Sequence, residues 1–130
     1  MPRLLTLLLL LLLATLPVQA EDAAGPVTYI PLDPPLVLNL TGGRGTHFMQ
    51  LSAQLAVDSA ADADLVKTHM PVLRNTMILY LSGRDVETAR ATREREVWRQ
   101  ELQAEIQAVL AELTGKEPVR GLYFTGFVIQ

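Results

Sequence analysis

Two histidines are the side chains of this chain that could do metal or general acid–base chemistry at neutral pH. Zinc and catalytic sites need converging ligands, for example two histidines four residues apart on one helix. His47 and His69 do not have that spacing, and the chain contains no cysteine. His69 follows Leu65 and precedes Leu73 by four residues each, which indicates a hydrogen-bonded structural histidine on the apolar side of a helix. We therefore expect no catalytic, metal-binding or cofactor-binding residue, and no enzyme.

Two further segments resemble ligand-binding motifs but have simpler interpretations. Thr41-Gly-Gly-Arg-Gly45 has the glycines of a phosphate loop. It lacks the Lys-Ser/Thr ending and precedes strand-like residues, so it predicts a turn between two strands. The aspartates at positions 58, 62 and 64 lie where the positive end of a helix dipole favours acids. The net charge of −3 gives no electrostatic reason to bind nucleic acid.

Alternating apolar residues predict the strands that must position any site. Leu36 to Leu40 and Met49 to Val57 alternate and predict a hairpin. Residues 29–35 contain three prolines, which favours an extended edge segment. The last ten residues, Gly121 to Gln130, carry no charge and predict a third strand, held in the sheet by pairing on both edges.

Both faces of that last strand are largely apolar. The predicted faces are Leu122, Phe124 and Val128 on one side, and Tyr123, Thr125, Phe127 and Ile129 on the other. A strand covered on one side should alternate with polar residues, so either helices cover both faces or one face meets a partner chain. Tyr123, Phe127 and Ile129 are accordingly candidate self-association or core residues.

Two helical segments lie between the hairpin and the last strand. Ser59 predicts a helix start, and Pro71 predicts a bend or break just before it. Residues 85–91 are out of phase with the later apolar stripe, which favours a separate short helix, and Gly115 ends the long charged helix. The order strand, strand, helix, helix, strand predicts a small α+β domain, with about three strands packed on two or three helices.

The N-terminal segment predicts export. Residues 1–20 combine a positive start, a leucine-rich run and small residues at the end, as in a signal peptide cleaved after Ala20. A short retained membrane anchor is the alternative. Residues 21–28 form a linker and residues 29–130 the domain. Both interpretations place that domain outside the cytoplasm, and the absence of cysteine excludes a lipoprotein.

Ordered motifs along the domain carry a family resemblance. They include Asn39-Leu40, His69-Met-Pro71-Val-Leu-Arg74-Asn75 and the ending Tyr123-Phe-Thr-Gly-Phe-Val-Ile-Gln130. Together they resemble the FliL family of flagellar basal-body-associated proteins, from Tyr29 to Gln130. Two features depart from the family pattern. The chain begins with a signal-like segment instead of a cytoplasmic stub and full membrane span, and Arg95-Glu96 replaces a Gly-Lys pair, which favours a straighter helix.

The resemblance implies a non-enzymatic periplasmic domain with a stomatin-like fold and no cofactor. It implies a homo-oligomeric ring around flagellar stator proteins, which supports flagellar rotation, swimming or swarming. It places the protein at the basal body, anchored in the inner membrane if residues 1–20 are retained. The alternative function is a soluble periplasmic scaffold or adaptor unrelated to motility.

Overall fold

The computed structural model describes residues 26–130, so the predicted signal or anchor segment, its cleavage after Ala20 and most of the linker lie outside the described residues. The described part has an α+β fold, as predicted. Its elements, in chain order, are β1 (Thr28–Pro31), β2 (Leu36–Leu40), β3 (His47–Val57), α1 (Ala60–Thr68), α2 (Met70–Leu81), α3 (Val86–Arg90), α4 (Thr92–Thr114) and β4 (Gly121–Ile129).

Strand β3 is the centre of an antiparallel sheet. Strand β2 pairs with the first half of β3, which confirms the predicted hairpin, and β1 pairs with the last four residues of β3. Strands β1 and β2 therefore lie end to end along one edge of β3, and β4 lies along the other edge. The predicted extended edge segment is thus a short fourth strand, although the sheet is three strands wide.

Strand β4 differs from its prediction in its pairing. Within residues 26–130 it pairs with β3 alone, so the prediction of pairing on both edges was wrong. Strand β3 has two edges, and three other strands pair with it. One is taken by β1 and β2 and the other by β4, which leaves the far edge of β4 without a neighbouring strand.

A β-bulge also corrects the predicted faces of β4. Ser52 lies opposite Gly126, whereas Ala53 lies opposite Phe124, so Thr125 is an extra residue. One extra residue reverses the alternation of every side chain beyond it. The helix-facing residues are therefore Leu122, Phe124, Phe127 and Ile129, and those of the opposite face include Tyr123 and Val128.

The helices cover one face of the sheet. The buried side chains of α2 recur every four residues at Leu73, Met77 and Leu81, and those of α4 do the same at Trp98, Leu102, Ile106 and Leu110. These stripes join the inward residues of β2 and β3 in one core. Each fully buried leucine or isoleucine contributes about 1.5–3 kcal/mol by leaving water, so the two stripes hold the sheet and helices together.

Local sequence signals set the helix ends. The Ser59 hydroxyl accepts a hydrogen bond of 3.0 Å from the amide of Asp62. The predicted break before Pro71 is confirmed, because α1 ends at Thr68 and α2 begins at Met70, with His69 between them. Gly115 ends α4 with a φ of 69°, a left-handed conformation that glycine adopts without a Cβ clash. The predicted short helix over 85–91 is α3.

Residues of the family-like motifs fasten the connections. Arg74 donates a hydrogen bond of 2.6 Å to the carbonyl of Pro34, which ties α2 to the β1–β2 connection. The amide of Gly83 donates to the carbonyl of Asn39 at 2.9 Å, which ties the end of α2 to the end of β2. None of the helices in residues 26–130 combines the length and apolar character needed to cross a membrane.

Candidate functional site

The sheet face opposite the helices, called here the outer face, presents large apolar side chains to solvent. Each of them leaves between 41% and 65% of its surface exposed. They are Tyr29, Val37, Phe48, Tyr123 and Val128. The pairing register places them on one face, because Val37 and Val128 both lie opposite Gln50. Isolated exposed apolar residues are ordinary, but several on one face are typical of a protein contact surface.

Tyr123 is the predicted self-association residue that lies on this face. Its ring meets the ring of Tyr29 edge-on, with centroids 6.1 Å apart. The two rings flank Ala56, which is buried although it points to the outer face. Gly121 permits this arrangement, because a Cβ there would lie 3.0 Å from the Tyr123 ring. The neighbouring residues Ala56 and Gly121 thus leave room for the contact between the two tyrosine rings on the outer face.

Helix α4 supplies hydrogen-bond partners to the free edge at the start of β4 and to Val119, two residues before the strand. Gln107 donates to the carbonyl of Val119 at 3.1 Å. Gln103 accepts from the amide of Leu122 at 3.0 Å, and Arg99 donates to the carbonyl of Leu122, also at 3.0 Å. These polar side chains stand four residues apart on α4, so they follow β4 and take the place of a neighbouring strand.

The second half of that edge is different. Phe48 and Gln130 exchange two backbone hydrogen bonds of 2.9 and 2.8 Å, so Gln130 faces β3. Hydrogen-bonded and non-bonded pairs alternate along an antiparallel ladder. The backbone N–H and C=O groups of Val128 therefore also point toward β3, whereas those of Phe127 and Ile129 point away from it. No other element of residues 26–130 donates to or accepts from those outward groups.

A groove runs along this edge, between β4 and the first turns of α4, and is called here the edge groove. It encloses about 500 Å³. Residues from both elements line it, namely Thr92, Arg95, Glu96, Arg99, Tyr123, Phe124, Thr125, Gly126 and Phe127. Its wall is apolar where the rings of Phe124 and Phe127 stand 6.4 Å apart, and cationic on the α4 side.

The two arginines of the edge groove differ in whether they form an ion pair. Arg99 donates hydrogen bonds to both carboxylate oxygens of Glu96, at 2.6 and 2.9 Å. The hydrogen bonds from Arg99 and from Gln100 lower the pKa of Glu96 to about 2, and the hydrogen bond to Glu96 raises the pKa of Arg99. Arg95 has no carboxylate partner among the described residues. It donates to the Thr92 hydroxyl at 3.0 Å.

The guanidinium of Arg95 therefore carries an uncompensated charge into an apolar setting. Its central carbon lies 4.8 Å from the centroid of the Phe127 ring, and its Nε is buried without a hydrogen-bond partner in the described structure. A buried donor without a partner costs about 1–3 kcal/mol. Among the described residues, the Thr92 hydroxyl is therefore the one hydrogen-bond partner of the Arg95 guanidinium.

The structure separates the three predicted interface residues. Tyr123 lies on the outer face, whereas Phe127 and Ile129 are half-buried on the helix side and pack against the core. His69 lies between α1 and α2, where its amide donates to the Leu65 carbonyl at 3.1 Å. Among residues 26–130, no three histidine, aspartate or glutamate side chains are grouped closely enough to hold a metal ion.

Sequence reasoning missed the residues of α4 that face β4. Arg95, Arg99, Gln103 and Gln107 stand at intervals of four, and the last three each follow a buried stripe residue by one position. That spacing was a readable signal of a second, polar stripe beside the core. Its function depends on which strand lies next to α4, and the chain pattern did not contain that information.

The described residues thus form an α+β domain of one sheet layer with helices on one face, an exposed apolar face and an open strand edge, features that are typical of protein contact surfaces. The chain belongs to the FliL family, since the family described as flagellar basal body-associated protein FliL matches residues 29–130. The chain is also 32% identical over 99 residues to the flagellar protein FliL of Aquifex aeolicus (strain VF5). That match covers 76% of this chain and 59% of that protein, so the chain spans about three-fifths of its curated relative.

Proposed function

We propose that this protein is a non-enzymatic, self-associating component of the flagellar basal body, which acts in the periplasm beside the motor stator and supports flagellar rotation. The observation that carries the proposal is the family match, which extends over nearly all of the described domain. Through flagellar rotation the protein would support swimming or swarming. If residues 1–20 are retained, they anchor the protein in the inner membrane beside the stator.

The outer face supports the self-association part of the proposal. Its five exposed apolar side chains, led by Val37 at 65% exposure, would leave water if a second copy covered them. A ring needs two different complementary surfaces on each subunit. Exposed apolar residues of α2, chiefly Leu79 at 72%, supply a second surface on another side of the fold.

Deletion of the gene tests the proposal. We expect slower swimming and smaller swarms, restored by the wild-type chain, and a fluorescent fusion that forms foci at flagellar bases. Stator proteins should copurify with the tagged chain from membranes after mild crosslinking. Unchanged motility in the deletion strain, together with a diffuse envelope signal, would favour the alternative of a soluble periplasmic scaffold unrelated to motility.

A further inference from the structure

We propose that the edge groove binds an extended peptide segment of another protein, which adds as a strand to β4 and places a carboxylate side chain on Arg95. The inference goes beyond the proposed function, because it concerns a peptide-binding site and holds whether or not the chain assembles into a ring. Three observations carry it: the outward backbone groups of β4, the uncommitted Arg95 and the composition of β4.

The backbone of β4 sets the shape of the ligand. The N–H and C=O groups of Phe127 and Ile129 point away from β3 and have no partner among the described residues. A row of such groups is satisfied by an extended chain at the spacing of a sheet. From Phe124 to Ile129 the open edge is six residues long. At about 3.4 Å per residue it therefore accepts a segment of roughly 20 Å.

Helix α4 sets where that segment begins. Gln107, Gln103 and Arg99 already bond to the edge as far as Leu122, so no added strand fits there. One helical step further, Arg95 bonds to no group of β4. At this point α4 diverges from β4, and the edge groove lies between the two elements. The site is thus limited to the part of the edge that the protein itself does not cover.

Charge sets the chemistry of one ligand side chain. Arg95 is a cation without a carboxylate partner in residues 26–130, and its Nε is buried and unbonded. The neighbouring Arg99 is neutralised by Glu96, so it does not compete for an anion. A guanidinium pairs best with a carboxylate, which accepts two parallel hydrogen bonds from it. The ligand should therefore carry an aspartate or glutamate beside apolar residues that face Phe124 and Phe127.

Composition argues against a second β4 strand as the occupant. Residues 121–130 contain no aspartate or glutamate side chain. Edge-to-edge pairing of two β4 strands would satisfy the backbone groups but would offer Arg95 of either copy no aspartate or glutamate side chain. It would also bring two uncompensated guanidinium groups to one interface, and like charges in such a setting are destabilising. A partner segment with an acidic side chain satisfies both requirements.

Selection from a random twelve-residue peptide library tests the proposal. The purified full chain is the target, and the Arg95→Glu variant is the counter-target. Selected peptides are synthesised, and their affinity is measured by fluorescence anisotropy for the wild type, Arg95→Gln and Arg93→Gln. Arg93 is exposed two positions away on the same helix, so Arg93→Gln is a control with the same change of charge.

We expect selected peptides to share an acidic residue flanked by β-branched or aromatic residues. Arg95→Gln should weaken their binding about tenfold, which is the value of one charge-assisted hydrogen bond, and Arg93→Gln should leave it unchanged. Replacing the peptide's acid with its amide should weaken binding to the wild type but not further to Arg95→Gln. Hydrogen exchange should slow at the amides of Phe127 and Ile129 when peptide is bound.

Several results would overturn the proposal. They are a library that yields no binder, peptides without an acidic residue, equal effects of Arg95→Gln and Arg93→Gln, and peptide-induced protection elsewhere than β4. Concentration-dependent protection of β4 amides without any peptide would also overturn it, because a second copy would then occupy the edge. A motility defect in a gene deletion bears on the proposed function and is independent of these measurements.

Discussion

At the level of single residues, Tyr80 joins α2 to α4. Its hydroxyl donates a hydrogen bond to the carboxylate of Glu101, and Arg84 lies over its ring at 4.4 Å. Burial, the hydrogen bond to Glu101 and the negative charge of Glu101 together raise the pKa of Tyr80 to about 12. The folded state thus favours the protonated phenol over a phenolate.

The sign of the resulting pH dependence follows from that shift. Because the pKa is higher in the folded state than the ordinary value of 10.0, the contribution of Tyr80 is fully present below pH 10 and is lost as pH rises toward 12. We expect the chain to show a tyrosine ionisation near pH 12 at 295 nm, accompanied by loss of stability over the same range.

Tyr80→Phe should remove both effects and lower the free energy of unfolding at pH 7 by about 1 kcal/mol, the value of one hydrogen bond. Tyr29→Phe is the matched control, since the Tyr29 side chain is exposed and forms no hydrogen bond within residues 26–130. If Tyr80→Phe keeps the ionisation near pH 12, the assignment to Tyr80 fails.

A second residue-level prediction concerns the first half of the β4 edge. Gln103 accepts from the Leu122 amide and also from Arg99. Gln103→Met keeps the length of the side chain but leaves that amide without its partner, so we expect the free energy of unfolding to fall by about 1–2 kcal/mol. Urea denaturation measures this change. Gln100→Met is the control, because Gln100 contacts Glu96 on the exposed side of the helix. An equal loss of unfolding free energy in both variants would contradict the role given to Gln103.

At the level of elements, the helix boundaries were the most predictable part of the fold. Ser59, Pro71 and Gly115 act on the few residues around them, through a cap, a missing amide and a left-handed turn. These effects are local, so a single sequence contains them. The hairpin of β2 and β3 was predictable for the same reason, since a short glycine-rich turn joins two alternating segments.

The status of β4 was not predictable in that way. Its apolar composition indicated a strand, but whether it lies inside or at the edge of the sheet depends on how many other segments pair with β3. Its faces were wrongly divided because Thr125 is a bulge residue, and alternation counted along the chain assumes that none exists. The edge groove depends on both features, so its existence could not be derived from the spacing of Arg95 and Arg99 alone.

The bulge itself gives an element-level prediction. Because Ser52 pairs with Gly126 and Ala53 with Phe124, deletion of Thr125 would join two segments that are already in register. Phe127 and Ile129 would stay on the helix side. Deletion of Val128 would instead move Ile129 to the outer face and lose its contact with the core. We therefore expect the Thr125 deletion to retain the native circular dichroism spectrum and to have a higher urea midpoint than the Val128 deletion. Equal midpoints would contradict the expectation that removal of the bulge residue preserves the register of β4.

At the level of the whole molecule, the helices and the outer face divide the domain into a closed side and an open side. The closed side buries the stripes of α2 and α4, whereas the open side leaves Val37, Phe48 and Val128 in water. The domain is small enough that this apolar area is a notable fraction of its surface. Several exposed apolar residues on one face are typical of a protein contact surface.

Val128→Lys tests whether a second copy is that partner. Val128 lies on the outer face with 49% of its surface exposed, so lysine there should leave the melting temperature nearly unchanged while it disrupts an apolar contact between copies. Light scattering on the purified full chain should then show a shift from oligomer to smaller species. Leu113→Lys is the matched control, because Leu113 is also 49% exposed but lies in the last turn of α4 and not on the outer face. If Leu113→Lys dissociates the oligomer and Val128→Lys does not, self-association uses the helical side, and the outer face is not the contact between copies.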